Sequence, residues 1–197
     1  MTSFRLLSPR DFRCVPWRNG GGTTMEIATW PPEARAGEFR GRVSIARLDR
    51  DGAFSTWPGI DRTFLLLDGA GVVLAHDAGE VALAALHEPY RFSGDRASSC
   101  RLVGGPARAF NLMVRRGEAH GEVALAEGAS ALGGRWRAGV CYAVRGACEC
   151  LFAGRAPVSV AEGGALVVDE REPETVLHVN PLEQGAVAVV ASLTFAA

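Results

Sequence analysis

Leu67-Asp-Gly-Ala-Gly-Val-Val-Leu74 and Val144-Arg-Gly-Ala-Cys-Glu-Cys-Leu151 are the two stretches that decide the fold. Each reads as the end of an apolar strand, a tight glycine turn and the start of another strand. Gly69 aligns with Gly146 and Ala70 with Ala147, a spacing of 77 residues, and the same spacing brings Leu74 to Leu151, Val81 to Val158 and Leu83 to Val160. A strand, a turn and two further strands thus occur twice in order, which predicts two similar β units in one chain. Chance matching in a chain rich in Ala, Gly and Val is the competing reading.

Outward from these stretches the punctuation is regular. The chain holds 24 glycines and 10 prolines, and between the turns lie short runs rich in Val, Leu, Ile and Phe at 42–48, 63–67, 72–75, 109–114 and 187–191. Short apolar runs between frequent turn residues are the mark of β sandwiches and barrels rather than of βαβ units. The best helix candidates, around 82–86 and 122–132, are short, interrupted by glycine, or better read as strand. The fold class read from the chain is all-β. Residues 1–127 are assigned to a first barrel with a Gly-rich N-terminal segment and 128–197 to a smaller second one, with strands open to sharing and the glycine-rich 128–139 as the crossover.

Composition narrows the function. With 197 residues, 48% of them hydrophobic, the chain buries a core without a disulfide or metal staple. The net charge is −1, with 21 basic and 22 acidic residues interspersed, so neither nucleic acid nor membrane is an expected partner. Every basic residue is arginine, which excludes a lysine Schiff base, a pyridoxal-phosphate anchor and a Walker-type phosphate lysine. Five cysteines, an odd number with no framework spacing, and a start without a long apolar run lead to the expectation of a cytoplasmic protein. Cys148 and Cys150 share a strand face and read as buried core thiols.

Several chemistries lack their residues. His76, His87, His120 and His178 stand at least eleven positions apart, so none has the i, i+2 or i, i+4 partner that two ligands on one element need. The reading assigns no metal, no cofactor and no catalytic residue. There is no nucleophile elbow, and Gly20-Gly21-Gly22 neither follows an apolar strand nor opens a helix.

What remains is a polar segment, W-R-N-G-G-G-T-T-M-E at 17–26. Gly20, Gly21 and Gly22 free the backbone to turn N–H groups inward as an anion nest, with Asn19, Thr23 and Thr24 as short donors, Trp17 as an aromatic wall and Glu26 beyond. A plain glycine turn feeding a first strand is the alternative. Arg42 and Ser44 share a strand face by alternation, and Arg62 enters a very apolar strand where it would fork onto a ligand carboxylate or pair with Asp61. Phe92, Asp95 and Asn111 complete the candidate ligand-binding set.

These segments together resemble the HutD/Ves family of bacterial proteins. The motifs that carry the resemblance are W-R-N-G-G-G-T-T-M-E-I (17–27), R-V-S-I-A (42–46), G-A-F-S-T-W-P-G-I-D-R (52–62), the step ending at Gly69, F-S-G-D (92–95) and F-N-L-M-V-R (110–115). They fall in family order over about residues 4–120. The chain departs from the family pattern at Met25, Gly41 and Ala109. The resemblance implies a bicupin, two cupin-like barrels in one chain, and a link to histidine utilisation. It also shows where a metal-binding cupin would carry its histidine pair: the corresponding stretch, 54–62, has none.

The function expected from this reading is non-catalytic binding of a small acidic metabolite, such as the histidine-degradation intermediate formylglutamate, in a regulatory or buffering role. The alternatives are a metal-free isomerase or lyase with Glu26, Asp61 or Asp95 as general base, and an interaction protein with a vestigial site. Bicupins often dimerise through sheet edges, so a homodimer is carried as an expectation.

Overall fold

In a computed structural model of the chain, which describes residues 2–17, 22–35 and 37–196, the backbone is almost wholly strand and turn. Among the described residues the one helical element is a 3-10 turn at Pro9–Asp11. The strands are β1 (Ser3–Leu7), β2 (Arg13–Pro16), β3 (Gly22–Trp30), β4 (Gly41–Leu48), β5 (Gly52–Phe54), β6 (Ile60–Asp68), β7 (Val72–His76), β8 (Gly79–Leu83), β9 (Pro89–Ser93), β10 (Ser98–Leu102) and β11 (Ala107–Arg115). They continue with β12 (Ala119–Ala126), β13 (Ser130–Leu132), β14 (Ala138–Arg145), β15 (Cys148–Phe152), β16 (Val158–Val160), β17 (Ala165–Glu170), β18 (Leu177–Pro181) and β19 (Val187–Phe195). Neither stretch weighed as a helix forms one: 122–132 falls largely on β12 and β13, and 82–86 is the end of β8 with the turn after it.

The chain divides into two compact units. One is Arg13–Gly117; the other joins Met1–Phe12 to Glu118–Ala197. The division therefore falls ten residues earlier than 127/128, and the glycine-rich stretch from 128 lies inside the second unit, where it carries β13. The N-terminal strand β1 pairs with β17, so it too belongs to the second unit. Sequence proximity misassigned it because strand pairing is satisfied by any edge within reach, however distant along the chain.

The first unit faces a six-stranded sheet, β2-β3-β4-β11-β6-β9, with a four-stranded one, β5-β10-β7-β8. The second faces β1-β17-β14-β19-β12 with β13-β18-β15-β16. Adding eight to each strand number turns the pairings of β4 to β11 into those of β12 to β19, without exception. The repeat that the sequence showed over three strands is a repeat of eight.

Its register needs one correction. Val72 pairs with Leu83 and Cys148 with Val160, while Leu74 pairs with Val81 and Cys150 with Val158. Leu74 therefore corresponds to Cys150, not to Leu151. The second copy of the turn is one residue shorter, and a one-residue slip exchanges inward for outward side chains. Gly69 and Gly146 both hold positive φ, at 100° and 66°, which is why each turn keeps a glycine.

Between its sheets the first unit buries Leu48, Phe54, Phe64, Leu66, Val72, Leu74 and Cys100, and the second Cys141, Cys148, Cys150, Phe152, Leu166, Val168 and Leu177. Burying a side chain of Leu, Val or Phe size contributes about 1.5–3 kcal/mol each, which is the main force closing each pair of sheets.

Candidate functional site

The inner face of the six-stranded sheet changes character along its strands. Alternation puts Arg42, Ser44, Ala46 and Leu48 of β4 on that face, with Ala107, Ala109, Asn111 and Met113 of β11 and Arg62, Phe64 and Leu66 of β6. One end, around Leu48, Ala107 and Leu66, belongs to the apolar core. Toward the other end the same rows become polar. Ser44 lies opposite Asn111, and Met113 lies opposite both Arg42 and Arg62. β3 adds Thr24 opposite Ala46 and Glu26 opposite Ser44. Here the sheets enclose a cavity of about 680 Å³, its other walls formed by Trp17, Phe54, Ser55, Thr56 and Trp57.

Arg62 is the decisive group. It is only 8% exposed, yet among the described residues no carboxylate pairs with it. Its guanidinium lies between the rings of Phe54 and Phe92, at 5.1 and 4.8 Å. Nη2 donates to Asn111 Oδ1 at 3.1 Å, and Nε has no partner. Burial, and secondarily the charge of Arg42, lower its pKa to about 10, so it stays protonated at neutral pH. A buried cation with an unused N–H is costly until an anion meets it.

Arg42 is differently placed. Its Nε donates to Glu26 Oε2 at 2.7 Å, and Arg13 reaches Glu26 Oε1 at 3.2 Å from β2. Glu26 is thus bracketed by two guanidinium groups. Trp17 Nε1 donates to Thr24 Oγ1 at 2.8 Å, and the Trp17 ring meets Phe54 edge-on, which fixes one aromatic wall. Four arginines (Arg13, Arg35, Arg42 and Arg62) and one glutamate line the cavity among the described residues, a formal charge of +3.

Of the residues singled out in the sequence, Trp17, Thr24, Glu26, Arg42, Ser44, Arg62 and Asn111 come together around this cavity. Asn19, Gly20 and Gly21 lie outside the described residues. Five others stand elsewhere. Thr23 pairs with exposed Arg47 and alternates away from the lining residue Thr24. Gly22 packs against the Arg47 carbonyl, where an added Cβ would stand 2.0 Å from the oxygen, so close packing accounts for this glycine. Phe92 lies behind Arg62 as its aromatic support. Asp61 alternates with Arg62 on β6 and binds Arg116 at 2.6 Å on the surface, so the anticipated Arg62–Asp61 pair does not form. Asp95 binds the same Arg116 at 2.9 Å and accepts from Gly59 N and Ser93 Oγ; these bonds, the Gly59 one foremost, hold its pKa down to about 2.

The sequence reading missed Arg13, Phe54, Thr56 and Trp57 as lining residues. The segment F-S-T-W at 54–57 sets two hydroxyl side chains between two aromatic ones, a signal that could have raised it. Among the described residues no histidine lines the cavity, and the His76 ring instead lies tilted against Phe92 at 5.1 Å. Among the described residues, the one group of three or more metal-ligating side chains that converges is Cys141, Cys148 and Cys150 of the second unit.

Two double-sheet units of matching topology in one chain make a bicupin. The architecture recurs in the oxalate decarboxylase of Lactobacillus farciminis, with a TM-score of 0.61, 11% identity and coverage of 96% of this chain and 85% of that one, a likeness of fold alone. Within that class the chain belongs to the HutD family, which it matches over residues 9–188 and which is linked to histidine utilisation. It is 36% identical to the protein Ves of Cronobacter sakazakii, over 66% of this chain and 71% of that protein. It is 38% identical to an uncharacterized 21.2 kDa protein in the hutC 3' region of Pseudomonas putida, over 57% of this chain and 59% of that one. The structure of HutD from Pseudomonas fluorescens SBW25 superposes with a TM-score of 0.83 at 27% identity, over 99% of this chain and 100% of that one.

Proposed function

We propose that this protein binds a small acidic metabolite in the cavity of its first unit without transforming it, and serves to sense or buffer that compound. An intermediate of histidine degradation of the formylglutamate type is the ligand we favour. The observation that carries the reading is Arg62: a buried guanidinium with a free N–H, clamped between two phenylalanines at a cavity wall. One ligand carboxylate would take that N–H. Ser44 and Asn111 supply uncharged hydrogen-bonding groups beside it, and Arg13 and Arg35 supply charge for a second carboxylate. The volume lies within the range of small-molecule pockets.

The alternative, a metal-free enzyme, draws less support. Asp61 and Asp95 are engaged with Arg116 at the surface, and of the three carboxylates considered as bases only Glu26 faces the cavity. Both its oxygens already meet guanidinium groups.

The test is calorimetric titration with formylglutamate, glutamate and urocanate, and with Arg62→Ala beside the parent protein. Binding should occur with unchanged ligand recovered, and the variant should lose roughly 30- to 1000-fold in affinity, corresponding to about 2–4 kcal/mol for a buried charge partner. Equal affinity in the variant would remove Arg62 from the site, and recovery of a chemically altered ligand would favour the enzyme.

A further inference from the structure

The eight-strand repeat makes each unit a control for the other. By pairing, Phe64 lies opposite Asn111 on β11 and Cys141 opposite Val190 on β19, while Val72 and Leu74 match Cys148 and Cys150. Where the first unit fills its interior with three apolar side chains, the second places three thiols. The fold itself therefore asks only for apolar volume at these positions.

The thiols also converge. Their Sγ atoms all lie within 4.8 Å of one another, and Cys141 and Cys148 stand 3.9 Å apart. Cys141 comes from the five-stranded sheet and the other two from the facing four-stranded sheet, so the cluster spans the interior. Thiolates about 2.3 Å from a central metal, at the corners of a triangle, stand roughly 4.0 Å apart. Among the described residues no histidine or carboxylate joins the group, and Phe152, Leu166 and Val179 belong to the same buried core cluster. A structural zinc site needs four ligands, whereas soft thiolates in smaller number suit monovalent copper.

We propose that the second unit binds one Cu(I) ion at the sulfur atoms of Cys141, Cys148 and Cys150. Each copper–sulfur bond replaces an S–H bond, the proton leaves to solvent, and no electron is transferred because copper enters as Cu(I). With all three cysteines at most 2% exposed, the ion would be shielded from oxidants and slow to exchange.

The test is anaerobic titration of reduced Cys14→Ser protein with Cu(I) against a competing Cu(I) chelator, read by native mass spectrometry and X-ray absorption. The Cys14→Ser change removes the exposed thiol. The expected result is one copper per chain, surrounded by three sulfurs and no oxygen or nitrogen, with a raised melting temperature. Cys148→Val with Cys150→Leu installs the side chains that the first unit carries at the equivalent positions and should fold without binding copper. Failure to bind, copper retained by the double variant, or zinc held in its place would each overturn the proposal. Should the double variant not fold, the absorption spectrum of the Cys14→Ser protein still decides, since fewer than three sulfurs around copper refutes the site.

Discussion

Arg62 donates to Asn111 across two neighbouring strands of one sheet, and this bond marks where the inner face of the first unit turns from apolar core to polar cavity. In the second unit, the residues at the positions of Arg62, Asn111 and Ser44 are Gly139, Val190 and Ala124, by the same pairings. The polar constellation was built once, in one copy of a duplicated frame.

Asn111→Asp tests what Arg62 lacks. A carboxylate beside Arg62 would pair with it internally, so the variant should keep its fold, gain thermal stability and bind an acidic ligand at least tenfold more weakly. Calorimetry and thermal melting check both halves, and undiminished affinity would mean that Arg62 is not the anion's partner.

The pH dependence follows from the same residue. Burial lowers the Arg62 pKa below its ordinary value to about 10, so burial of the protonated form opposes folding at neutral pH, and this cost fades as pH rises through 10. A bound anion favours the protonated form. Affinity for a carboxylate should therefore be level from about pH 7 to 9 and fall toward tenfold per unit above about 10.

Two tryptophans, Trp17 and Trp57, line the cavity, whereas Trp30 and Trp136 do not. Filling the cavity should change the intrinsic emission of the protein. Trp17→Phe with Trp57→Phe should abolish that response while Trp136 and Trp30 still emit; a persistent response would relocate the ligand.

Asp95 should titrate near pH 2 by NMR. Its folded-state pKa is depressed, so its contribution to stability is full above its ordinary carboxylate value near 3.8 and is lost as pH falls through about 2. In Arg116→Ala the midpoint should rise only part of the way, because Gly59 N–H and Ser93 Oγ still donate to it.

Arg171 is wholly buried and bonds the carbonyls of Gly134, Trp136, Pro173 and Thr175, joining two loops of the second unit over the Trp136 ring. Arg171→Met strands those carbonyls and should cost about 3–5 kcal/mol, in the range for breaking a buried charged group's bonds. Urea unfolding would show it, and acid binding in the first unit should survive.

Much of this was legible in the chain itself. Period-two alternation put Arg42 and Ser44 on one face, repeated glycine turns gave the all-β class, and the matched stretches gave the duplication. These properties are local: φ/ψ preference, turn chemistry and side-chain alternation act within a few residues. The pairing of β1 with β17, the one-residue slip that sets Leu74 against Cys150, the removal of Asp61 and Asp95 to Arg116, and the convergence of Cys141 with Cys148 and Cys150 were decided by the tertiary structure alone. Each depends on which strand edge or facing sheet a side chain meets, and that is fixed by contacts between segments many residues apart, which no local pattern records.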